Sequence, residues 1–268
     1  MMKSAALAAA LLLSALVAGC GGSALTSTSS LSPEQTTADD NSPFPTAEDV
    51  ASSGPERFHP FADPTAKPSG GREVIKDPTI EDVMLTGSLP EMSIGRADAP
   101  VTIVEYASLT CQHCRHFHLN TFPQLKREYI DTGKVRLILR EFPIGKTSGN
   151  ATIALRCAPP DKYLALHGKF LEQQSSWVSQ EVRLDPIFKV AAQVGMTRDQ
   201  FDACLKNQAM INGLKWVKDR GRKLGVIGTP NFFVGNRLVK KELTMEDIRA
   251  MVDPQLAGQT ASATTVPN

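Results

Sequence analysis

Cys111-Gln112-His113-Cys114 is the segment of this sequence with the clearest chemical content. Two thiols at this spacing can exchange with a disulfide if one of them is held as the thiolate, since the thiol itself is a poor nucleophile. The run before them, Val101-Thr102-Ile103-Val104-Glu105-Tyr106, is rich in β-branched residues and follows the turn-forming Asp98-Ala99-Pro100, which predicts a buried strand. After them Phe117, Thr121, Leu125 and Tyr129 recur at four-residue spacing, which predicts a helix kinked at Pro123. Cys111 therefore opens a helix, where unpaired N–H groups and the helix dipole favour negative charge. Cys114, about one turn on and buried, is placed to attack a mixed disulfide formed at Cys111. His113 between them is expected to stabilise the thiolate by charge or hydrogen bond. A lone C-x-x-C serves equally as a metal half-site or a plain disulfide; its place at a strand-to-helix junction favours exchange.

Two distant residues extend this reading. Glu105 lies in the predicted core strand, where a carboxylate is costly unless it is used. Near the buried cysteine it could accept the resolving thiol's proton. Thr229-Pro230 opens a second apolar strand, where proline cannot donate to a ladder. A cis bond there would present the Thr229 backbone beside Cys111 to an extended substrate. His116 and His118 raise a metal reading, but two residues apart on a helix they point to different sides, so no dedicated site is expected. Both are expected exposed or at the groove rim, and His167 does not stand out.

The elements that must position these residues follow in order. Gly133 ends the first helical connection, and Val135 to Phe142 reads as a second strand closed by Pro143. A mostly helical stretch fills about 147–224. Within it Asp185-Pro186 starts a helix that Gly195 stops, and Thr197 with Gln200 makes a capping box for the next. Gly225 ends a further helix. Two short apolar runs then flank Gly235-Asn236, a hairpin signal, and Thr244 with Asp247 can cap a last helix to about Met251. Cys157 and Cys204 both fall in the helical stretch. A structural disulfide between them would close a loop of roughly 48 residues and contribute about 4 kcal/mol in the chain-entropy model. A second redox pair or two free buried thiols are the other readings.

The 268 residues are 41% hydrophobic and 21% charged with a net charge of +1, enough for a sizeable core and no reason to expect nucleic acid as a partner. Lys3 followed by apolar Ala5 to Val17 forms an export signal over residues 1–19, too short for a permanent span. Leu16-Val17-Ala18-Gly19-Cys20 resembles a lipobox, which makes Cys20 the lipidated residue and leaves four cysteines for two pairs. An ordinary secretory signal is the other reading, and either exports the chain to a compartment where disulfides persist. Residues 20–85 are expected to be a flexible membrane tether, 86–253 the folded domain and 254–268 a disordered tail, with 72–90 the stretch where a short element could lie.

The strand with Glu105, then Cys111-Gln112-His113-Cys114, a helical insertion and Gly228-Thr229-Pro230-Asn231-Phe232-Phe233 together resemble the DsbA-like thiol:disulfide oxidoreductases. The resemblance covers about Glu91 to Met251. It implies an α/β thioredoxin fold with an inserted helical domain, a cis-proline loop and no bound cofactor. By position it makes Cys111 the nucleophile, Cys114 the resolving cysteine, His113 the thiolate-stabilising residue, Glu105 the buried acid and Pro230 the cis-proline. Gln112 stands where proline is more usual, and Thr229 before the proline is also common in isomerase-type relatives. The expected function is oxidation of reduced or misoxidised exported polypeptides on the periplasmic side of a bacterial membrane. A DsbB-like or equivalent membrane redox partner would reoxidise the pair. An isomerase or reductase, or a peptide- or copper-binding lipoprotein with little turnover, are the alternatives.

Overall fold

The computed structural model describes residues 73–264. The expected export signal, Cys20 and the expected tether up to residue 72 lie outside the described residues, as do residues 265–268. Among the described residues no helix is long and apolar enough to cross a membrane.

Five strands carry the fold: β1 (Met92–Ile94), β2 (Val101–Ala107), β3 (Val135–Glu141), β4 (Asn231–Val234) and β5 (Arg237–Val239). They form one sheet ordered β1-β3-β2-β4-β5, parallel only between β2 and β3. A parallel pair needs a crossover, and a helical stretch over 112–130, here α2, supplies it. β2 is buried along nearly its whole length, as suits a mostly apolar central strand, with Glu105 the buried exception. Side-chain alternation splits the core in two. Ile103, Leu137, Leu139, Phe232 and Val234 face one side with Phe117 and Leu125 of α2; Val104, Tyr106, Ile138 and Phe233 face the other.

The helical insertion follows β3. It comprises α3 (Gly145–Cys157), α4 (Pro160–Glu172), α5 (Gln174–Trp177), α6 (Leu184–Ala191) and α7 (Arg198–Leu205), and leads into α8 (Gln208–Lys223). The Thr197–Gln200 capping box forms as its residues predict, and Gly195, at φ 91°, stops α6 after a 3₁₀ turn. α6 starts at Leu184 rather than at an Asp185 cap, and the Asp185 carboxylate, inside the first turn, meets Arg198 at 2.6 Å. α8 returns across the second face of the sheet. It approaches so closely that a Cβ on Gly221 would lie 2.7 Å from the Tyr106 ring, so only glycine fits there. Gly235, at φ 61°, turns the β4–β5 hairpin as expected.

Three differences from the sequence reading have physical causes. Residues 73–85, which the sequence puts in the tether while leaving room for a short element within 72–90, hold that element and pack on the sheet. A five-residue helix, α1 (Ile80–Met84), is capped by a Thr79–Asp82 box and buries Val83, whose carbonyl accepts from Arg140. Proline 123 gives no simple kink: α2 alternates α-helical turns (Gln112–His116, Phe122–Leu125) with π-helical ones (Phe117–Thr121, Lys126–Ile130). The last helix, α9 (Met245–Thr264), starts at the predicted Thr244–Asp247 cap but runs through Pro254 into the expected tail. Asp253 accepts from the Tyr129 hydroxyl at 2.8 Å, the Gln255 amide donates to the Met251 carbonyl, and Leu256 packs against the core. Those contacts hold the helix past the proline.

Candidate active site

β2 ends at Ala107, and Ser108-Leu109-Thr110 carries the chain to Cys111, which is the N-cap of α2 with extended backbone. The Cys111 N–H donates to the Ser108 carbonyl at 3.0 Å, and the Cys114 N–H donates to Cys111 Sγ at 3.3 Å. Both thiols are free; Cys111 is partly exposed, and Cys114 is fully buried. Their chemistry differs accordingly. The Cys111 thiol is pulled down to about 6, chiefly by a hydrogen bond from Cys114, against the opposing effect of burial, and further by Thr229 and the N–H groups of Cys114 and His113. Burial drives the Cys114 thiol well above its ordinary range, with the charges of Cys111 and Glu105 adding to the effect.

Glu105 is 2% exposed and sits across from Leu139 and Phe232 on the neighbouring strands. Burial, with the Cys111 charge adding to it, pushes its carboxyl up to about 8. A buried acid that is protonated near neutrality and within electrostatic reach of both thiols can exchange a proton with the buried one. From the far end of the domain, the Thr229–Pro230 bond is cis, and the Thr229 carbonyl accepts from Cys111 Sγ at 3.2 Å. Asn231 steadies this loop by accepting from the Ile227 N–H and donating to the Pro230 carbonyl. The fold thus brings Cys111, Cys114, Glu105, Thr229 and Pro230 into one site.

Residues 88–254 match the protein-family model described as Thioredoxin. A protein of Rickettsia conorii named a protein-disulfide oxidoreductase is 31% identical over 195 residues, covering 70% of this chain and 69% of that one. The crystal structure of Wolbachia pipientis alpha-DsbA1 superposes with a TM-score of 0.62 at 25% identity, over 68% of this chain and 99% of that one. The chain is a DsbA-like thiol–disulfide oxidoreductase of the thioredoxin family. Disulfide bond formation protein D of Bacillus subtilis is a more distant relative, 24% identical over 62% of this chain and 77% of its own length.

In this DsbA-like protein the remaining residues fall in places that spacing alone does not give. The His113 imidazole is turned outward, 76% exposed, with Nδ1 3.2 Å from Glu242 Oε2, so it reaches Cys111 through its backbone N–H rather than its ring. His116 Nδ1 meets the other oxygen of the same carboxylate. His118 is half-buried rather than exposed. It stacks on Phe122 at 4.9 Å and meets the buried His167 edge-on at 5.0 Å, and burial pushes it down to about 4. Cys157 and Cys204 form a disulfide with Cα atoms 6.2 Å apart, joining the end of α3 to α7.

Two buried polar residues near the site, Gln174 and Glu141, were not among the expected site residues. Gln174 of α5 is buried, and its amide donates to the carbonyls of Leu109 at 2.8 Å and Cys111 at 3.0 Å, which ties the insertion to the loop that carries the thiols. Glu141, at the end of β3 on the same sheet face as Glu105, is buried and shared by Arg156 and by the Tyr163 hydroxyl at 2.7 Å. Alternation along β3 could have placed Glu141 on that face; nothing in the sequence pairs Gln174 with residue 111.

Proposed function

We propose that this oxidoreductase works as a dithiol oxidase, passing the Cys111–Cys114 disulfide to exported polypeptides. The observation that carries the reading is the opposed behaviour of the two thiols, with Cys111 pulled down to about 6 and Cys114 pushed far up. A client thiolate attacks Cys111 Sγ, the Sγ–Sγ bond breaks, and Cys114 leaves and takes up a proton, for which the buried Glu105 is the nearby donor. A second client thiolate then attacks the client sulfur of the mixed disulfide, and Cys111 leaves as a thiolate. The client gains one disulfide, the enzyme holds one thiol and one thiolate, and of the client's two protons one restores Glu105 and the other goes to solvent. A stabilised Cys111 thiolate favours the reduced enzyme and so drives transfer outward. Thr229 and cis-Pro230 offer backbone beside Cys111 for an extended client. Export by the N-terminal signal, anchoring through lipid on Cys20 and reoxidation by a membrane redox partner complete the proposal.

The test uses the purified chain and a reduced two-cysteine peptide. The oxidised enzyme should convert the peptide stoichiometrically. Cys111→Ser should abolish transfer, and Cys114→Ser should accumulate a mixed disulfide between client and Cys111. Oxidation that survives Cys111→Ser would rule the mechanism out. A pair recovered fully reduced from the exported compartment would reverse the direction to reductase or isomerase.

A further inference from the structure

The turn between β5 and α9 is fixed on both sides of Glu242. Leu243 is fully buried, and Thr244 caps α9 through Asp247, which also receives Lys241 at 2.7 Å. The Glu242 side chain is only 20% exposed, and its two oxygens are each taken by a different imidazole, His113 Nδ1 at 3.2 Å and His116 Nδ1. One anchored carboxylate therefore bridges two residues three apart on the first turn of α2, and one of them lies between the cysteines. The groups acting on Cys111 Sγ are backbone N–H donors, Cys114 and Thr229; the His113 ring is not among them.

A histidine at this position can stabilise the thiolate through its ring only if the ring faces Sγ and no nearby anion offsets its charge. Glu242 opposes both conditions. We infer that Glu242 is a positioning residue that sets the redox poise of the Cys111–Cys114 pair by holding the His113 imidazole off the thiolate and offsetting its charge. The inference rests on the reading of Cys111–Cys114 as the exchanging pair. Removing the charge at Glu242 makes the enzyme a stronger oxidant, and the gain passes through His113.

The experiment equilibrates the full chain with glutathione and reads the dithiol and disulfide fractions. Glu242→Gln should shift the equilibrium about three- to tenfold toward the dithiol form, as expected for one charge near a thiolate. In a His113→Ala background the same substitution should shift it less than about twofold. Glu242→Asp, which keeps the charge, should stay within about twofold of the parent. The inference is overturned if Glu242→Gln leaves the equilibrium unmoved, if it moves it equally with and without His113, or if Glu242→Asp shifts it as far as Gln does. A parent chain that never equilibrates with glutathione would instead sink the reading of Cys111–Cys114 as an exchanging pair.

Discussion

Cys111 and Cys114 are one helical turn apart, yet one thiol is held near 6 and the other far above its usual range. Reaction of reduced enzyme with iodoacetamide should therefore be confined to Cys111 and half-maximal near pH 6; a midpoint near that of a free thiol would contradict the site geometry. The linkage sign follows. A thiol depressed from 9.0 to about 6 contributes stability to the reduced fold that is complete above pH 9 and is lost as pH falls through 6. Glu105 has the opposite sign, because its carboxyl is raised from 4.5 to about 8. The fold binds the extra proton, so stability present below pH 4.5 is lost as pH rises toward 8. Glu105→Gln should remove that loss and raise stability at pH 8 by a few kcal/mol, while slowing thiol exchange; thermal melts from pH 4 to 9 would show the two proteins diverging upward. The cysteines, Glu105 and Thr229-Pro230 were legible because each breaks a local rule: paired thiols at a helix start, an acid in a core strand, a proline at a strand start. Gln174 and Glu242 break none. Their meaning comes only from where the chain folds back, 63 residues after Cys111 in one case and 129 after His113 in the other.

At the scale of elements, β2 to β5 and the helical character of the insertion followed from β-branched runs, caps and glycines, while the division of the insertion at Pro160 and Gln174, α1 and β1 did not. Five and three residues are too few to show a period, and both exist through contacts made elsewhere. Arg140 and Arg220 bond the carbonyls of Val83 and Asp82, and β1 pairs with β3. The end of α9 was misread because proline is a stop signal only where nothing downstream is held. The Cys157–Cys204 disulfide closes a separation of 47 residues within the insertion. Replacing both cysteines with serine should lower unfolding free energy in urea by about 4 kcal/mol and leave exchange at Cys111 in place. Lost exchange would mean that the bond belongs to the catalytic path.

Over the described residues 73–264 the fold is a sheet covered on both faces by segments distant in sequence. One face is closed by α8 together with residues 73–85, which bury Val83 against Tyr106, Phe142 and Val226. A chain beginning at Thr86 should therefore lose roughly 3 kcal/mol or more, from the buried valine and the carbonyls withdrawn from Arg140 and Arg220. An unchanged urea midpoint would show that this segment only rests on the surface. The other face holds the buried acids Glu105 and Glu141, and the insertion supplies what Glu141 and the thiol loop require. Arg156 and Tyr163 satisfy Glu141, and Gln174 satisfies the carbonyls of Leu109 and Cys111. This limits how such a protein can be recombined. A foreign helical block grafted in place of residues 145–205 would strand an anion in the core and unmoor the nucleophile, unless it brought its own cation and amide to the same two points. The insertion and the sheet are thus obliged to change together.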